Sequence, residues 1–202
     1  MRDAGIGRVL VASLHQGIAD LLPTRLEFYE NWFNPSGLRD GTIGLAPLTA
    51  VLSFLRREGE AYALVTTRAG GYAAEWTVDG LPAFRRALIR KMPAPVRFRL
   101  AIAVARGLVK SSYAGSRAIV TVRRGTASID VRSSIFCGVR EPAPAPLCGF
   151  YAAATGRVLE LLHVGADVDV VQCRGTGQPG CVLTVRTDAG PTVRPDGPAD
   201  VS

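Results

Sequence analysis

The segment Cys173–Cys181, with the sequence CRGTGQPGC, decides the fold that we predict for this 202-residue chain. It carries a cysteine at each end and three glycines between them, a composition typical of a tight turn. Apolar and β-branched residues flank the segment, so Val168–Cys173 and Cys181–Arg186 are predicted to pair as antiparallel strands. The sequence therefore predicts a β-ribbon near the end of the chain, and the turn of this ribbon carries two thiols.

A helix and a second hairpin precede this ribbon. Apolar residues recur at helical spacing from Leu147 to His163, which predicts a helix with Cys148 near its start. The proline-rich stretch before Leu147 cannot be helical, because proline donates no backbone hydrogen bond. Ala118–Arg123 and Ala127–Phe136 alternate between apolar and polar side chains, and this pattern predicts a hairpin with one buried face.

The first half of the chain is predicted to be mainly helical, because apolar residues recur there at steps of three and four. A third hairpin is predicted around Gly70-Gly71, since β-branched and aromatic residues are frequent on both sides of this pair. The predicted helices are Leu10–Phe33 with a break near Pro23, Pro47–Arg57, Leu81–Met92 and Val96–Lys110, with a loop from Asn34 to about Gly44, and the predicted strands of the third hairpin are Tyr62–Thr67 and Tyr72–Val78.

These elements predict one α/β domain of the α+β kind over residues 1–187, in which an antiparallel sheet of hairpins packs against several helices. Residues 188–202 are rich in Gly, Pro and Asp, and this composition predicts a flexible C-terminal tail. The chain contains 48% apolar and 20% charged residues, which is typical of an ordinary globular domain.

No stretch of the sequence predicts export or a membrane span. The apolar run after Arg8 is too short for a signal peptide, and Leu100–Val109 is too short to cross a bilayer. We therefore expect a cytoplasmic protein. In that compartment the four cysteines are expected to be reduced thiols or metal ligands.

The net charge of +7 is unevenly distributed along the chain. No acidic residue occurs between Asp79 and Asp130, whereas eleven basic residues do. Such a run predicts a positive face for an acidic protein partner or an anionic membrane surface, although its side chains also suit a solvated surface. No motif next to these basic residues is typical of base recognition, so sequence-specific nucleic-acid binding is not expected. The basic residues are Arg85, Arg86, Arg90, Lys91, Arg97, Arg99, Arg106, Lys110, Arg117, Arg123 and Arg124.

Three stretches together resemble the 4-vinyl reductase domain family: Ser133–Cys137, Cys148–Leu159 and Cys173–Cys181. That family pairs a cysteine-bearing helix with a C-terminal hairpin whose glycine-rich turn lies between two cysteines. The resemblance extends from about Ala118 to Val185. It implies the Golgi-transport ligand-binding fold, shared with TRAPP subunits and nitric-oxide sensors, and a role as a small-molecule receptor or, as in a bacteriochlorophyll-synthesis factor, as a tetrapyrrole-handling protein.

The resemblance also implies a zinc site. In activator members of the family, zinc is bound by a helix cysteine, an acidic residue and two hairpin cysteines. The three thiol positions correspond to Cys148, Cys173 and Cys181, but the acidic position is Val170 in this chain. The resemblance therefore leaves one zinc ligand unassigned.

Structural zinc is bound by four ligands, so the fourth would come from Cys137, Asp169 or a water molecule. The favoured alternative is a site without metal, in which the thiols behave as small buried apolar side chains. With zinc bound, the metal would lock the hairpin to the helix and would not catalyse a reaction.

A pocket between the helices and the sheet is expected to bind a small hydrophobic ligand, aromatic or tetrapyrrole-like. Its predicted lining residues are Trp76, Phe136, Phe150 and Tyr151, of which Phe150 and Tyr151 are also natural core residues of their helix. We therefore predict a sensor or carrier module that forms a homodimer. The alternative is a dimeric structural or assembly subunit that docks an acidic partner or a membrane surface through its basic helices.

An enzyme with its own side-chain chemistry is not favoured, and no catalytic residue is predicted. The sequence has neither a Gly-x-Ser-x-Gly motif nor a paired histidine motif, and its two histidines, His15 and His163, lie apart on predicted helices. No redox-cofactor motif accompanies the resemblance to a reductase family, so the family's name does not imply a reductase activity here.

Overall fold

The computed structural model describes residues 6–33 and 44–187, and within them the chain forms seven α-helices and four β-strands. The predicted tail over 188–202 and positions 34–43 of the predicted loop lie outside the described residues. The helices are α1 (Arg8–Leu21), α2 (Leu26–Phe33), α3 (Leu45–Arg57), α4 (Glu60–Asp79), α5 (Ala83–Lys91), α6 (Ala94–Ser111) and α7 (Gly149–Leu161), and the strands are β1 (Arg117–Arg123), β2 (Thr126–Arg132), β3 (Ala166–Gln172) and β4 (Val182–Thr187).

The four strands form one antiparallel sheet in the order β1–β2–β4–β3. Both hairpins predicted in the second half of the chain are thereby confirmed. Ile129 of β2 lies between Val120 of β1 and Leu183 of β4, and Ile129 and Leu183 are fully buried. The predicted strand Ala127–Phe136 ends early, at Arg132, because Ile135–Cys137 forms a short 3-10 turn.

Helix α4 is the centre of the helical layer and packs against both α1 and α7. Glycines occupy the two crossings. A Cβ atom on Gly17 of α1 would lie 2.9 Å from the carbonyl oxygen of Val65 in α4. A Cβ atom on Gly70 of α4 would lie 2.4 Å from the carbonyl oxygen of Phe150 in α7. The backbones of the three helices are therefore close enough to require glycine at each contact.

The hairpin predicted around Gly70-Gly71 is wrong, because the whole stretch belongs to helix α4. Its β-branched and aromatic content favoured strands, but Tyr62, Val65, Ala69 and Ala73 are buried at steps of three and four, which is the helical period. Gly70 serves the close approach to α7 instead of a turn. Tertiary packing thus overrides the local strand propensity.

The other predicted helices are confirmed, with ends that shift by about two residues. The predicted break near Pro23 is also present, as the 3-10 turn Pro23–Arg25 between α1 and α2. Helix α6 buries Phe98, Ile102 and Leu108 and exposes the basic residues Arg99, Arg106 and Lys110. None of the helices in residues 6–33 and 44–187 is long and apolar enough to cross a membrane.

The two adjacent glycines of α4 provide a matched test of this helical packing. Gly70→Ala is expected to lower the free energy of unfolding by about 1–3 kcal/mol, since the new methyl group overlaps the backbone of α7. Gly71→Ala is expected to raise it by about 0.5–1 kcal/mol, because nothing lies within 4 Å of its Cβ position and alanine favours a helix. Urea titration followed by circular dichroism measures both changes, and equal effects of the two substitutions would contradict the packing.

Candidate functional site

The four cysteines come from separate segments and meet in the interior. Cys137 ends the 3-10 turn after β2, and Cys148 directly precedes α7. Cys173 follows β3, and Cys181 directly precedes β4. Each of the four is at most 6% exposed. The loop after β2, the start of α7 and the turn of the C-terminal ribbon are thus brought to one point.

The sulfur atoms are arranged as a metal-ligand set and not as disulfides. The Sγ–Sγ distances are 3.1 Å for Cys137–Cys148, 3.5 Å for Cys148–Cys173 and 3.4 Å for Cys137–Cys181, and all four sulfurs lie within 4.8 Å of one another. A disulfide requires about 2.05 Å. Tetrahedral zinc with bonds of about 2.3 Å places its sulfur ligands about 3.8 Å apart. The donor set and its dimensions therefore fit zinc.

Cys137 takes the fourth position that the resemblance left unassigned. Asp169 is the other protein residue considered as the fourth ligand. Its carboxylate forms an ion pair with Arg186 on β4 and is half exposed. Val170, at the acidic position of the family pattern, offers no ligand atom. Four thiolates and one Zn²⁺ carry a net charge of −2, which the surroundings must balance.

Hydrogen-bond donors lie next to the cysteine cluster. The backbone N–H groups of Leu147 and Arg174 donate to the sulfurs of Cys173 and Cys181 at 3.2 and 3.4 Å. The Nη2 atom of Arg56 donates to the carbonyl oxygen of Phe136 at 3.3 Å, while its buried Nε has no partner in the described residues. A guanidinium held next to the cluster, with unused donor capacity, suits a site that carries negative charge.

The pKa values of the four thiols are shifted in different directions. The hydrogen bond with Cys148 lowers the pKa of Cys137 to about 7. Hydrogen bonds with Cys137 and Cys148 also lower the pKa of Cys173, whereas those with Cys137 raise the pKa values of Cys148 and Cys181. The cluster therefore contains thiols that ionise readily next to thiols that donate hydrogen bonds to them.

Three of the four predicted ligand-binding residues lie together beside the cysteines. The Phe136 and Phe150 rings stack with centroids 4.9 Å apart, and Tyr151 contacts both edge-on at 5.3 and 5.4 Å. All three side chains are fully buried. The void that touches Phe150 measures only about 10 Å³, the space of a single water molecule. These rings pack tightly as part of the core.

Trp76 lies elsewhere. It is on the surface of α4, where its ring stacks on Tyr72 with centroids 5.8 Å apart and its residue is 38% exposed. The sequence placed Trp76 on a strand converging with the cysteine-bearing helix, and the helical course of residues 60–79 turns it away from the other three rings.

Hydroxyl groups beside Tyr151 have unused hydrogen-bonding capacity. The buried Tyr151 hydroxyl lies beside Ser112, Ser116 and Ser134, and neither it nor the hydroxyls of Ser116 and Ser134 form a hydrogen bond of good geometry within the described residues. Burial raises the pKa of Tyr151 well above its usual value, and the neighbouring serines oppose this rise. The phenol is therefore a neutral donor and acceptor inside the protein.

A cleft of about 410 Å³, here called the sheet-end cleft, opens where the helical layer meets the end of the sheet. It is bounded by residues 94–99 of α6, by Val122, Arg124 and Gly125 of the β1–β2 hairpin, by residues 163–165 after α7, and by Thr187 of β4. The cleft lies between helices and sheet, as the predicted ligand pocket does, but none of the four residues predicted to line that pocket borders it. The sequence did not identify it, because these segments are distant in the chain and share no motif.

A second groove of about 580 Å³ runs along the outer side of α4, between Arg56, Tyr62 and the proline-rich residues 143–147. It does not reach the sheet. Arg56 and Glu60 both line it, so positive and negative charges are present together. Of the two histidines, His15 forms a hydrogen bond with Glu30 at 2.9 Å, and His163 lines the sheet-end cleft.

Comparison with known proteins identifies a fold and no family. No family model matches the sequence, and no curated protein matches it. Among solved structures, the chain is similar to the crystal structure of the phenol-responsive sensory domain of the transcription activator PoxR with phenol. The TM-score is 0.50 and the sequence identity 16%, over 71% of this chain and 74% of that chain. The chain therefore shares its fold with that domain.

Two buried tyrosines test the description of the core. Tyr62→Phe is expected to cost about 1–3 kcal/mol of unfolding free energy, because the Tyr62 hydroxyl donates to the Leu147 carbonyl oxygen at 3.1 Å. Tyr151→Phe is expected to change it by less than about 1 kcal/mol, since the hydroxyl it removes is only poorly aligned with the neighbouring serine hydroxyls. Chemical denaturation of both variants measures the difference, and a loss in Tyr151→Phe as large as in Tyr62→Phe would show that the Tyr151 hydroxyl is bonded.

Proposed function

We propose that this chain is a small-molecule-binding sensory or carrier domain, related to the 4-vinyl reductase domain family, and not an enzyme with its own side-chain chemistry. The observation that carries the proposal is the fold shared with a phenol-responsive sensory domain. The sheet-end cleft supports it, because its volume of about 410 Å³ lies within the usual range of about 300–1,000 Å³ for small-ligand sites.

The proposed ligand is hydrophobic, aromatic or tetrapyrrole-related, and it occupies the sheet-end cleft. Phe98, Val122 and Val164 provide apolar walls there. Trp76, Phe136, Phe150 and Tyr151 do not line this cleft, so their contact with a ligand stays a separate prediction for another part of the molecule. The three clustered rings fill their own space, so contact with them requires the rings to separate.

We further propose that Cys137, Cys148, Cys173 and Cys181 bind one zinc ion as a structural clamp. When bound, the metal supplies a cross-link between the C-terminal ribbon, the start of α7 and the turn after β2. Four protein ligands close the coordination shell, which is typical of a structural zinc site. None of the cysteines forms a disulfide, as suits the reducing cytoplasm in which we place the protein.

A second candidate function is that of a dimeric assembly subunit with a positively charged docking face. Seven of the basic residues between Asp79 and Asp130 are exposed and form no side-chain hydrogen bond or ion pair with other described residues, which favours an acidic protein or an anionic membrane as partner. They are Arg85, Lys91, Arg99, Lys110, Arg117, Arg123 and Arg124.

The zinc proposal predicts about one zinc ion per chain in protein purified under reducing conditions, measured by inductively coupled plasma mass spectrometry. Cys137→Ser is expected to remove the zinc and to lower the melting temperature, because it deletes one of four ligands. Asp169→Asn is the matched control and is expected to retain the zinc, since Asp169 pairs with Arg186 outside the cluster. Wild-type protein without zinc after zinc-supplemented expression, or full occupancy in Cys137→Ser, would overturn the proposal.

The ligand proposal predicts that native mass spectrometry and calorimetry detect binding of aromatic or tetrapyrrole compounds to the wild-type chain. Val122→Trp is expected to weaken binding at least tenfold, because the larger ring fills the cleft. Thr121→Trp is the control, since Thr121 is the exposed neighbour in the same strand and does not line the cleft. No binding in any compound class would favour the docking function, and equal binding by both variants would place the ligand elsewhere.

A further inference from the structure

Among the residues that the structure describes, three arginines line the sheet-end cleft, and no acidic side chain does. Arg97 and Arg99 reach it from α6, and Arg124 reaches it from the β1–β2 turn. Guanidinium groups remain charged at every physiological pH. Gathered around one cleft without a counter-charge, they create a positive potential that a bound anion would neutralise.

The donors of these arginines are largely unused. Arg97 donates through Nη1 to the carbonyl oxygen of Arg90 at 3.1 Å, but its buried Nε has no partner in the described residues. Arg99 and Arg124 form no ion pair or side-chain hydrogen bond within those residues. A buried donor without a partner requires an explanation, and a carboxylate is the acceptor that guanidinium groups bind most strongly.

Some arginines elsewhere in the described chain are paired within the protein, whereas Arg85, Arg117 and Arg123 are exposed and unpaired. Arg86 pairs with Asp79 at 2.7 Å, and Arg157 pairs with both Glu75 and Glu160. These arginines are neutralised within the protein. What distinguishes Arg97, Arg99 and Arg124 from the other unpaired arginines is that all three line one cleft.

The backbone around the cleft adds to the positive potential. Helix α6 has 18 residues and begins there, at Ala94, with no acidic residue in its first turn. The N-terminus of a helix carries a partial positive charge.

The walls between these charges are apolar. Pro95, Phe98, Val122 and Val164 line the same cleft, and Phe98 and Val164 are at most 8% exposed. An inorganic anion would leave these surfaces in contact with water, whereas an apolar molecule without charge would leave the guanidinium groups unpaired. The lining of the cleft therefore suits a ligand that has both an anionic group and an apolar body.

We propose that the sheet-end cleft binds an organic carboxylate whose apolar body packs against Phe98, Val122 and Val164 while its acidic group pairs with Arg97, Arg99 and Arg124. This inference rests on the proposed small-molecule function and assigns the ligand class of that same site. It distinguishes the chain from a receptor for neutral phenols, because a neutral hydroxyl would not neutralise three cationic side chains.

Isothermal titration calorimetry with matched acids and amides tests the proposal. The probes are 1-naphthoate with 1-naphthamide and benzoate with benzamide, which are close in shape and differ in charge. The wild-type protein is expected to bind at least one acid at least tenfold more tightly than its amide. Arg99→Gln and Arg124→Gln, both exposed positions that tolerate substitution, are expected to reduce the acid's affinity toward that of the amide.

The matched control is Arg123→Gln, which removes the same charge one residue away from a side chain that does not line the cleft. It is expected to leave the affinities unchanged. Equal affinity for acid and amide, unaffected by any arginine variant, would overturn the anion inference and leave the small-molecule function standing. If neither the acids nor the amides bind, both the anion inference and the small-molecule function are overturned. If Arg123→Gln and Arg124→Gln weaken acid binding equally, the preference for the acid comes from the net charge of the protein and not from the cleft, which also overturns the anion inference.

Discussion

Four buried sulfur atoms within 4.8 Å of one another bring together the loop after β2, the start of α7 and the turn of the C-terminal ribbon. The cysteines that carry them are separated by up to 44 residues of sequence, so a metal ion bound by all four would restrict the unfolded chain strongly. Two neighbouring side chains hold the same region from the helical layer. Arg56 donates to the carbonyl of Phe136, and Tyr62 donates to the carbonyl of Leu147, the residues that precede Cys137 and Cys148.

Helix α7 connects the cysteine cluster to the sheet-end cleft. Its 13 residues span about 20 Å at 1.5 Å per residue, with Cys148 at one end and His163 shortly after the other. Arg90 of α5 donates twice to the carbonyl oxygen of Leu161 at the cleft end, and Arg157 pairs with Glu75 of α4 in between. The cleft is lined by residues 163–165, which directly follow this helix, so one wall of the cleft adjoins an element that is anchored along its length.

The parts of the fold that the sequence predicted correctly have local signals. The glycine-rich segment Cys173–Cys181 marks one hairpin, and the alternation of apolar and polar residues around Ile129 marks the other. These signals predicted both which strands pair and which face of the first hairpin is buried. The error at residues 62–78 arose because β-branched and aromatic residues next to Gly70-Gly71 resemble a hairpin. The helical spacing of Val65, Ala69 and Ala73 was the opposing signal, and only the contact with α7 explains the glycine.

The site was predictable only where residues are close in sequence or carry a distinctive chemistry. Cys148, Cys173 and Cys181 were identified through the family pattern, and Cys137 only as one of several substitutes. The sheet-end cleft was missed, because Arg97, Arg124 and Thr187 meet through the packing of α6 against the sheet and no sequence period connects them. Trp76 was predicted on a strand and lies on helix α4 instead.

X-ray absorption spectroscopy at the zinc edge of the intact protein tests most directly whether the cysteine cluster organises this fold. We expect four sulfur neighbours at about 2.3 Å around each zinc ion, the shell that the four converging thiolates provide. A shell that contains nitrogen or oxygen, or fewer than four sulfurs, would contradict the convergence of all four cysteines on one metal.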